Sequence, residues 1–143
     1  LIPPADAEAA FVLDASVTVA WCFEDQASGY ADRILQRLRD QAAVVPHIWA
    51  LEVTNALLAS ERKRRLRPAD SARFLTLLHR LPIVLETEPS LREMGIVLSL
   101  AREQGLSAYD AAYLYMATTR GLPLATLDET LKRAATTCGV SLA

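Results

Sequence analysis

The sequence predicts an α/β fold with a central, mostly parallel sheet of four to five strands covered by helices on both faces. Short apolar runs alternate with longer amphipathic segments along the chain, the order in which strands feed crossover helices. The length of 143 residues and the 52% apolar content fit one domain around a single continuous core.

The opening LIPPADAEAA sets prolines among small and acidic residues without periodicity, and residues 1–10 are expected to form a flexible N-terminal extension. FVLD, Phe11 to Asp14, is a short apolar run ending in a carboxylate. Ser16 follows as a good helix N-cap, so strand, turn and helix succeed one another, the helix being VTVAWCFE. After Gly29, GYADRILQRLRDQ places Ile34, Leu35 and Leu38 at helical spacing. AVVP is the second strand, closed by Pro46, which lacks the amide a continuing ladder needs and suits a helix start.

A long helix from about Ile48 to Arg64 hands over through Arg67 and Pro68 to another carrying Phe74, Leu75, Leu77, Leu78 and Leu81. Pro82 breaks that pattern, and IVLE is the third strand. Ser90 opens a helix to Glu103 that stops at Gly105, and Ser107 opens another that stops at Gly121. LPLAT, Leu122 to Thr126, is the fourth strand. A helix from Glu129 to Thr137 and a terminal strand at Val140 to Leu142 complete the order.

Composition excludes several functions. No run of eighteen apolar residues exists, and the start has neither the basic residues nor the apolar stretch of a signal peptide, so a soluble cytoplasmic protein without membrane contact is expected. Cys22 and Cys138 form no CxxC pair or His-flanked cluster, which removes support for zinc, redox and disulfide readings. A formal charge of −2 leaves any nucleic-acid contact local, and 6% aromatics argue against a base-stacking platform.

Four carboxylates stand out. Ligands of open α/β sheets gather beyond the carboxyl ends of strands, and Asp14 and Asp128 both lie at or just past such an end. Each alone is also an ordinary turn or capping residue. Glu52 carries more information, because Ile48, Trp49, Asn55 and Ala56 share its helix face, and a carboxylate there is costly unless paired or metal-bound. Asp110 repeats the anomaly among Leu106, Tyr113 and Leu114. The bland alternatives are a capping box with Ser107 for Asp110 and a buried arginine partner for Glu52. If the four converge, they repel unless a divalent cation joins them, and an all-oxygen donor set suits Mg²⁺ or Mn²⁺.

FVLDAS, WALEVTNAL, LSAYDAAYLYMA and LPLATLDETL, in this order and spacing, resemble the motifs of PIN-domain proteins, and more closely those of VapC-type toxins of toxin–antitoxin pairs. The resemblance runs from Phe11 to the C-terminus and implies one PIN domain over residues 11–143, a three-layer α/β/α sandwich. Position by position it implies that Asp14, Glu52, Asp110 and Asp128 are catalytic and hold metal, and that Thr126 supplies a hydroxyl that helps hold the site. The implied activity is Mg²⁺-dependent (or Mn²⁺-dependent) endonucleolytic cutting of RNA by a metal-activated water. The implied partners are a small VapB-like antitoxin and a second copy of the chain. The segment before Phe11 is longer than such toxins usually carry.

Other features have two readings each. Ser16 either caps its helix or hydrogen-bonds a carboxylate or water of the site. The basic run ERKRRLR, Glu61 to Arg67, is either a solvated helix end or a phosphate-steering patch. Trp21, Phe23 and Trp49 are either core or an interface for an antitoxin helix. Tyr109 and Tyr113 are expected to pack around Asp110, the alternative being contact with a nucleobase, and His47 and His79 to be structural or on the surface. Two other functions compete. A DxD phosphatase would need a second aspartate that FVLDAS lacks. A Mg²⁺-binding regulatory or protein-interaction domain of receiver type would cluster its acids at strand ends, unlike the helix-borne Glu52.

Overall fold

A computed structural model describes residues 8–23, 29–86 and 90–143. Its strands are β1 (Ala9–Leu13), β2 (Ala42–Val45), β3 (Ile83–Leu85) and β4 (Leu124–Ala125). Its helices are α1 (Ala15–Ala20), α2 (Gly29–Arg37), α3 (Ile48–Arg62), α4 (Pro68–His79), α5 (Leu91–Gln104), α6 (Ala108–Arg120) and α7 (Glu129–Thr137). All the strand pairs are parallel, in the order β3-β2-β1-β4. The expected α/β architecture is therefore present.

Burial explains why β1 is central. Successive strand residues point to opposite faces, yet Phe11, Val12 and Leu13 are all fully buried, so both faces of the sheet are covered there. Val12 pairs with Val44 on one side and Leu124 on the other. The first three strands step outward in one direction, and β4 then docks on the opposite side of β1. Such a reversal, here beyond the carboxyl ends of β1 and β4, is where α/β sheets place their ligands.

Local chemistry sets the helix ends. Ser90 accepts from the Glu93 amide at 3.2 Å, the Glu93 carboxylate accepts from the Ser90 amide at 3.0 Å, and Gly105 closes α5 in a left-handed turn at φ 64°. Ser107 caps α6 at one end through its hydroxyl alone, and Gly121 closes it at the other. Pro68 occupies the first turn of α4, where no amide bond is forfeited. Among the described residues no helix is long and apolar enough to cross a membrane.

Several boundaries move. β1 begins at Ala9, not Phe11, because the small side chains of Ala9 and Ala10 let the chain pair early with Ala42 across a register irregularity. The expected extension thus loses these two residues to the sheet; residues 1–7 lie outside the described residues, as does Glu24 of the first expected helix. The long helix ends at Arg62, and Arg64 turns out of it at φ 58°. The expected terminal strand shrinks to a single parallel bridge between Leu142 and Leu124.

Trp49 and Phe23 are buried in the core, and Trp21 is half-buried. Trp49 Nε1 donates to Thr18 Oγ1 at 3.0 Å and ties α3 to α1, while Trp21 Nε1 donates to the Ala31 carbonyl at 2.8 Å. Arg65 lies over the Phe23 ring, 4.6 Å from its centre, and Arg67 pairs with Asp70 at the start of α4. The basic run is thus partly structural. Arg62, Lys63 and Arg64 remain exposed on the surface. His47 and His79 are exposed too.

Candidate active site

Asp14 follows β1 directly, and its amide extends the ladder by donating to the Ala125 carbonyl at 2.9 Å. The residue is 4% exposed. Two hydroxyls converge on one carboxylate oxygen: Ser16 Oγ donates to Asp14 Oδ2 at 2.6 Å, and Thr126 Oγ1 donates to the same atom at 2.7 Å. Both bonds have the short length of charge-assisted contacts. Burial pushes the Asp14 pKa up, the two hydroxyls pull it down, the Asp128 charge pushes it up again, and the Ala15 amide opposes, with a net rise.

The hydroxyls also fasten the opposite lip of the crevice. Ser16 Oγ accepts from the Leu127 amide at 3.0 Å, and Thr126 Oγ1 accepts from the Asp128 amide at 3.0 Å. Thr126, assigned by motif alone, is therefore in direct contact with Asp14. Of the two readings of Ser16, capping is not the one realised. Helix α1 has no side-chain cap, and Ser16 instead serves Asp14.

Glu52 lies in the second turn of α3 and is half-buried. No buried arginine accompanies it: its Oε1 accepts from the Tyr113 hydroxyl at 2.8 Å. Burial raises its pKa, the Tyr113 bond opposes this, and the charges of Asp14 and Asp110 raise it further. Asp110, also half-buried on α6, is pushed up by burial and then by Asp14 and Asp128, with Ser107 opposing. Ser107 accepts from the Asp110 amide at 3.1 Å, but the reciprocal bond of a capping box is not made, so capping does not occupy the Asp110 carboxylate.

Asp128 is exposed, and its Oδ1 accepts from the Leu131 amide at 3.0 Å as the N-cap of α7. It therefore fills the ordinary capping role while still acting on Asp14 and Asp110 through its charge. The structure brings all four acids into one mutual electrostatic field, though unequally. For Tyr113 the sequence indicates only packing near Asp110. Its position three residues later on the same helix face is the signal that it belongs to the site.

Whether these residues fit a divalent cation is decided by donor chemistry and compensation. Among the described residues, no Lys or Arg forms an ion pair with Asp14, Glu52, Asp110 or Asp128. Burial first, and the neighbouring carboxylates after it, raise the pKa values of Asp14, Glu52 and Asp110, and a cation would relieve both costs. Among the described residues no three acidic, His or Cys side chains are drawn together tightly enough to ligate one ion jointly. An all-oxygen donor set is the chemistry that Mg²⁺ would need, since that ion takes one or two carboxylates and keeps several waters. The donor set fits such an ion.

A separate groove of about 630 Å³ lies between α5 and α6, lined by Met94, Leu98, Tyr109, Tyr115 and Met116 among others. None of the four acids lines it. The four acids lie apart from it, with Asp14 and Asp128 beyond the ends of β1 and β4.

Comparison with known proteins agrees with this geometry. The PIN domain family matches residues 11–136. Over 93 residues, 65% of this chain and 66% of the relative, the sequence is 39% identical to the exonuclease VapC9 of Pyrobaculum aerophilum. Over 120 residues, 84% of this chain and 90% of the relative, it is 28% identical to the ribonuclease VapC3 of the same organism. Among solved structures, PAE2754 of Pyrobaculum aerophilum superposes with a TM-score of 0.67 at 29% identity, covering 88% of this chain and 86% of that one. FitAcB of Neisseria gonorrhoeae shares the fold, with a TM-score of 0.62 at 18% identity over 92% of this chain and 95% of that one.

Proposed function

Given that the chain belongs to the PIN domain family, we propose that it is a metal-dependent endoribonuclease and the toxin of a VapBC-type toxin–antitoxin pair. The observation that carries this reading is Asp14: a buried carboxylate without a basic partner among the described residues, pinned by Ser16 and Thr126 in the crevice it shares with Glu52 and Asp110. Carboxylates with pKa values raised by burial and by like charges cluster at functional sites, and Asp14 is one of these. The names of the relatives VapC9 and VapC3 support nuclease activity, and the endonucleolytic mode is this proposal's own.

In this reading Asp14 and Asp110 hold Mg²⁺ or Mn²⁺, with Glu52 completing the acidic set and Asp128 acting from its capped position. Bound there, the ion supplies positive charge to the phosphodiester and lowers the pKa of a water. Ser16 and Thr126 hold the Asp14 carboxylate in place, and the low-dielectric wall behind it strengthens its field. Arg62, Lys63 and Arg64 are exposed and would be available to RNA phosphates. The same reading carries a small VapB-like antitoxin and a second copy of the chain as partners, in the cytoplasm.

The test is incubation of the purified protein with structured RNA and Mg²⁺ or Mn²⁺, beside Asp14→Asn, Glu52→Gln and Asp110→Asn. Cutting should require the divalent ion and be abolished in the variants. Cutting that survives all three substitutions, or that proceeds in chelator, would sink the proposal.

A further inference from the structure

Tyr113 is fully buried, and its hydroxyl reaches from α6 across 61 positions of sequence to Glu52 Oε1 on α3. Three residues before it on the same helix is Asp110. One helix thus supplies a carboxylate to the site and fixes a second carboxylate that another helix supplies. The two side chains joined by this bond differ in freedom. A glutamate has several rotatable bonds and loses much side-chain entropy when fixed. A buried tyrosine ring has few rotatable bonds, and packing holds it. Tyr113 therefore sets the position, and Glu52 conforms to it.

We propose that Tyr113 is a positioning residue whose buried phenol holds Glu52 Oε1, so that the Glu52 carboxylate keeps one orientation toward the site of Asp14 and Asp110, where a hydrated divalent cation would be held. The inference rests on the metal-site reading above. The hydroxyl is not needed to fill space, since a phenylalanine ring would pack nearly as well. It is a lone polar atom at the end of a fully buried side chain, and it donates a hydrogen bond to the Glu52 carboxylate. Oε2 of Glu52 has no hydrogen-bond partner among the described residues and is the oxygen left for a cation. Groups that orient metal-binding carboxylates from behind commonly change ion affinity about 10- to 100-fold when removed.

The experiment is a calorimetric titration of Mn²⁺ into the RNA-free full chain, with wild type, Tyr113→Phe, Glu52→Gln and the double variant. Tyr113→Phe should raise the Mn²⁺ Kd about 10- to 100-fold. In the Glu52→Gln background it should add less than about 2-fold, because contacting residues that act through one another are not additive. Unchanged Mn²⁺ affinity in Tyr113→Phe overturns the positioning role and leaves the metal site standing, as does an equal loss in both backgrounds. No Mn²⁺ binding by wild type overturns both. Should Tyr113→Phe fail to fold, the tyrosine Raman doublet of wild type and Glu52→Ala decides. A change toward a weaker phenol donor in Glu52→Ala supports the role, and identical doublets overturn it.

Discussion

Replacing Asp14 by Asn should make the metal-free protein more stable while abolishing its activity. The amide fits the site, since its carbonyl oxygen can accept from both Ser16 and Thr126 as Oδ2 does now. Hydrogen bonds to a charged group contribute about 1.5–3 kcal/mol each, against about 0.5–1.5 for neutral ones, so the exchange forfeits about 2–3 kcal/mol over the two. It removes the desolvation penalty of a buried ion, which is several kcal/mol. It also relieves the charge that Asp14 imposes on Glu52 and Asp110. The direction of the balance is set by the net rise of the Asp14 pKa, which says that burial outweighs the hydroxyls. A gain of about 1–2 kcal/mol follows, in the range of other function-relieving substitutions. For a chain of this size that is about 3–8 °C in Tm.

The pH dependence fixes the sign. The folded-state pKa of Asp14 lies above its ordinary 3.8, so its ionisation is easier in the unfolded chain. The stability it contributes is greatest below 3.8 and falls away as pH rises from there through the raised folded value. The Asn advantage should therefore be absent in acid, grow across that window and level off above it. Thermal melts by circular dichroism in chelator at about pH 7.5, above the window, and at acid pH measure it, and added Mn²⁺ should stabilise wild type much more than the variant. An Asn variant less stable than wild type near neutral pH, or an advantage independent of pH, refutes the argument from burial.

Two further outcomes follow from particular bonds. Thr126→Val keeps the buried shape but removes a donor to Asp14 and the acceptor for the Asp128 amide. It should cost about 1–3 kcal/mol in chemical denaturation and lower RNA cutting about 10- to 100-fold. Neutralising Arg62, Lys63 and Arg64 together, while leaving Arg65 on Phe23, should flatten the dependence of RNA affinity on salt by about 2 in log–log slope, at about 0.7 for each phosphate no longer neutralised. An unchanged slope assigns the run to solvation of the helix end alone.

Much of the fold was legible because its signals are local. Ser90 with Glu93, Gly105, Ser107 and Gly121 mark helix ends through bonds within a few residues, and α5, α6 and α7 lie within one residue of their expected limits. The early start of β1 was missed because Ala9 and Ala10 have no strand signal of their own; pairing with β2 defines them. At the site, Glu52 and Asp110 were legible as charges in apolar surroundings. Their partners were not. Ser16 and Thr126 stand 110 positions apart, and Glu52 and Tyr113 stand 61 apart, so no spacing rule links them. Only the topology that docks β4 and α6 against β1 brings each pair together.

The hydroxyl network bears on how the crevice discriminates a proton from a cation. Ser16 and Thr126 each own one hydroxyl proton, and each receives a backbone amide on a lone pair, from Leu127 and Asp128. The protons are thereby directed at Asp14 Oδ2, and the 3.4 Å approach of the two hydroxyl oxygens has no proton left to fill it. With both hydroxyl donors aimed at Oδ2, a proton entering there must displace one of them. That would loosen the segment carrying Asp128 from the end of β1. Positive charge entering the crevice from the side of Glu52 and Asp110 requires no such break. Burial therefore raises the cost of the Asp14 charge, while the hydroxyls oppose its simplest relief by protonation at Oδ2. A cation that stabilises the charge and preserves the network satisfies both constraints.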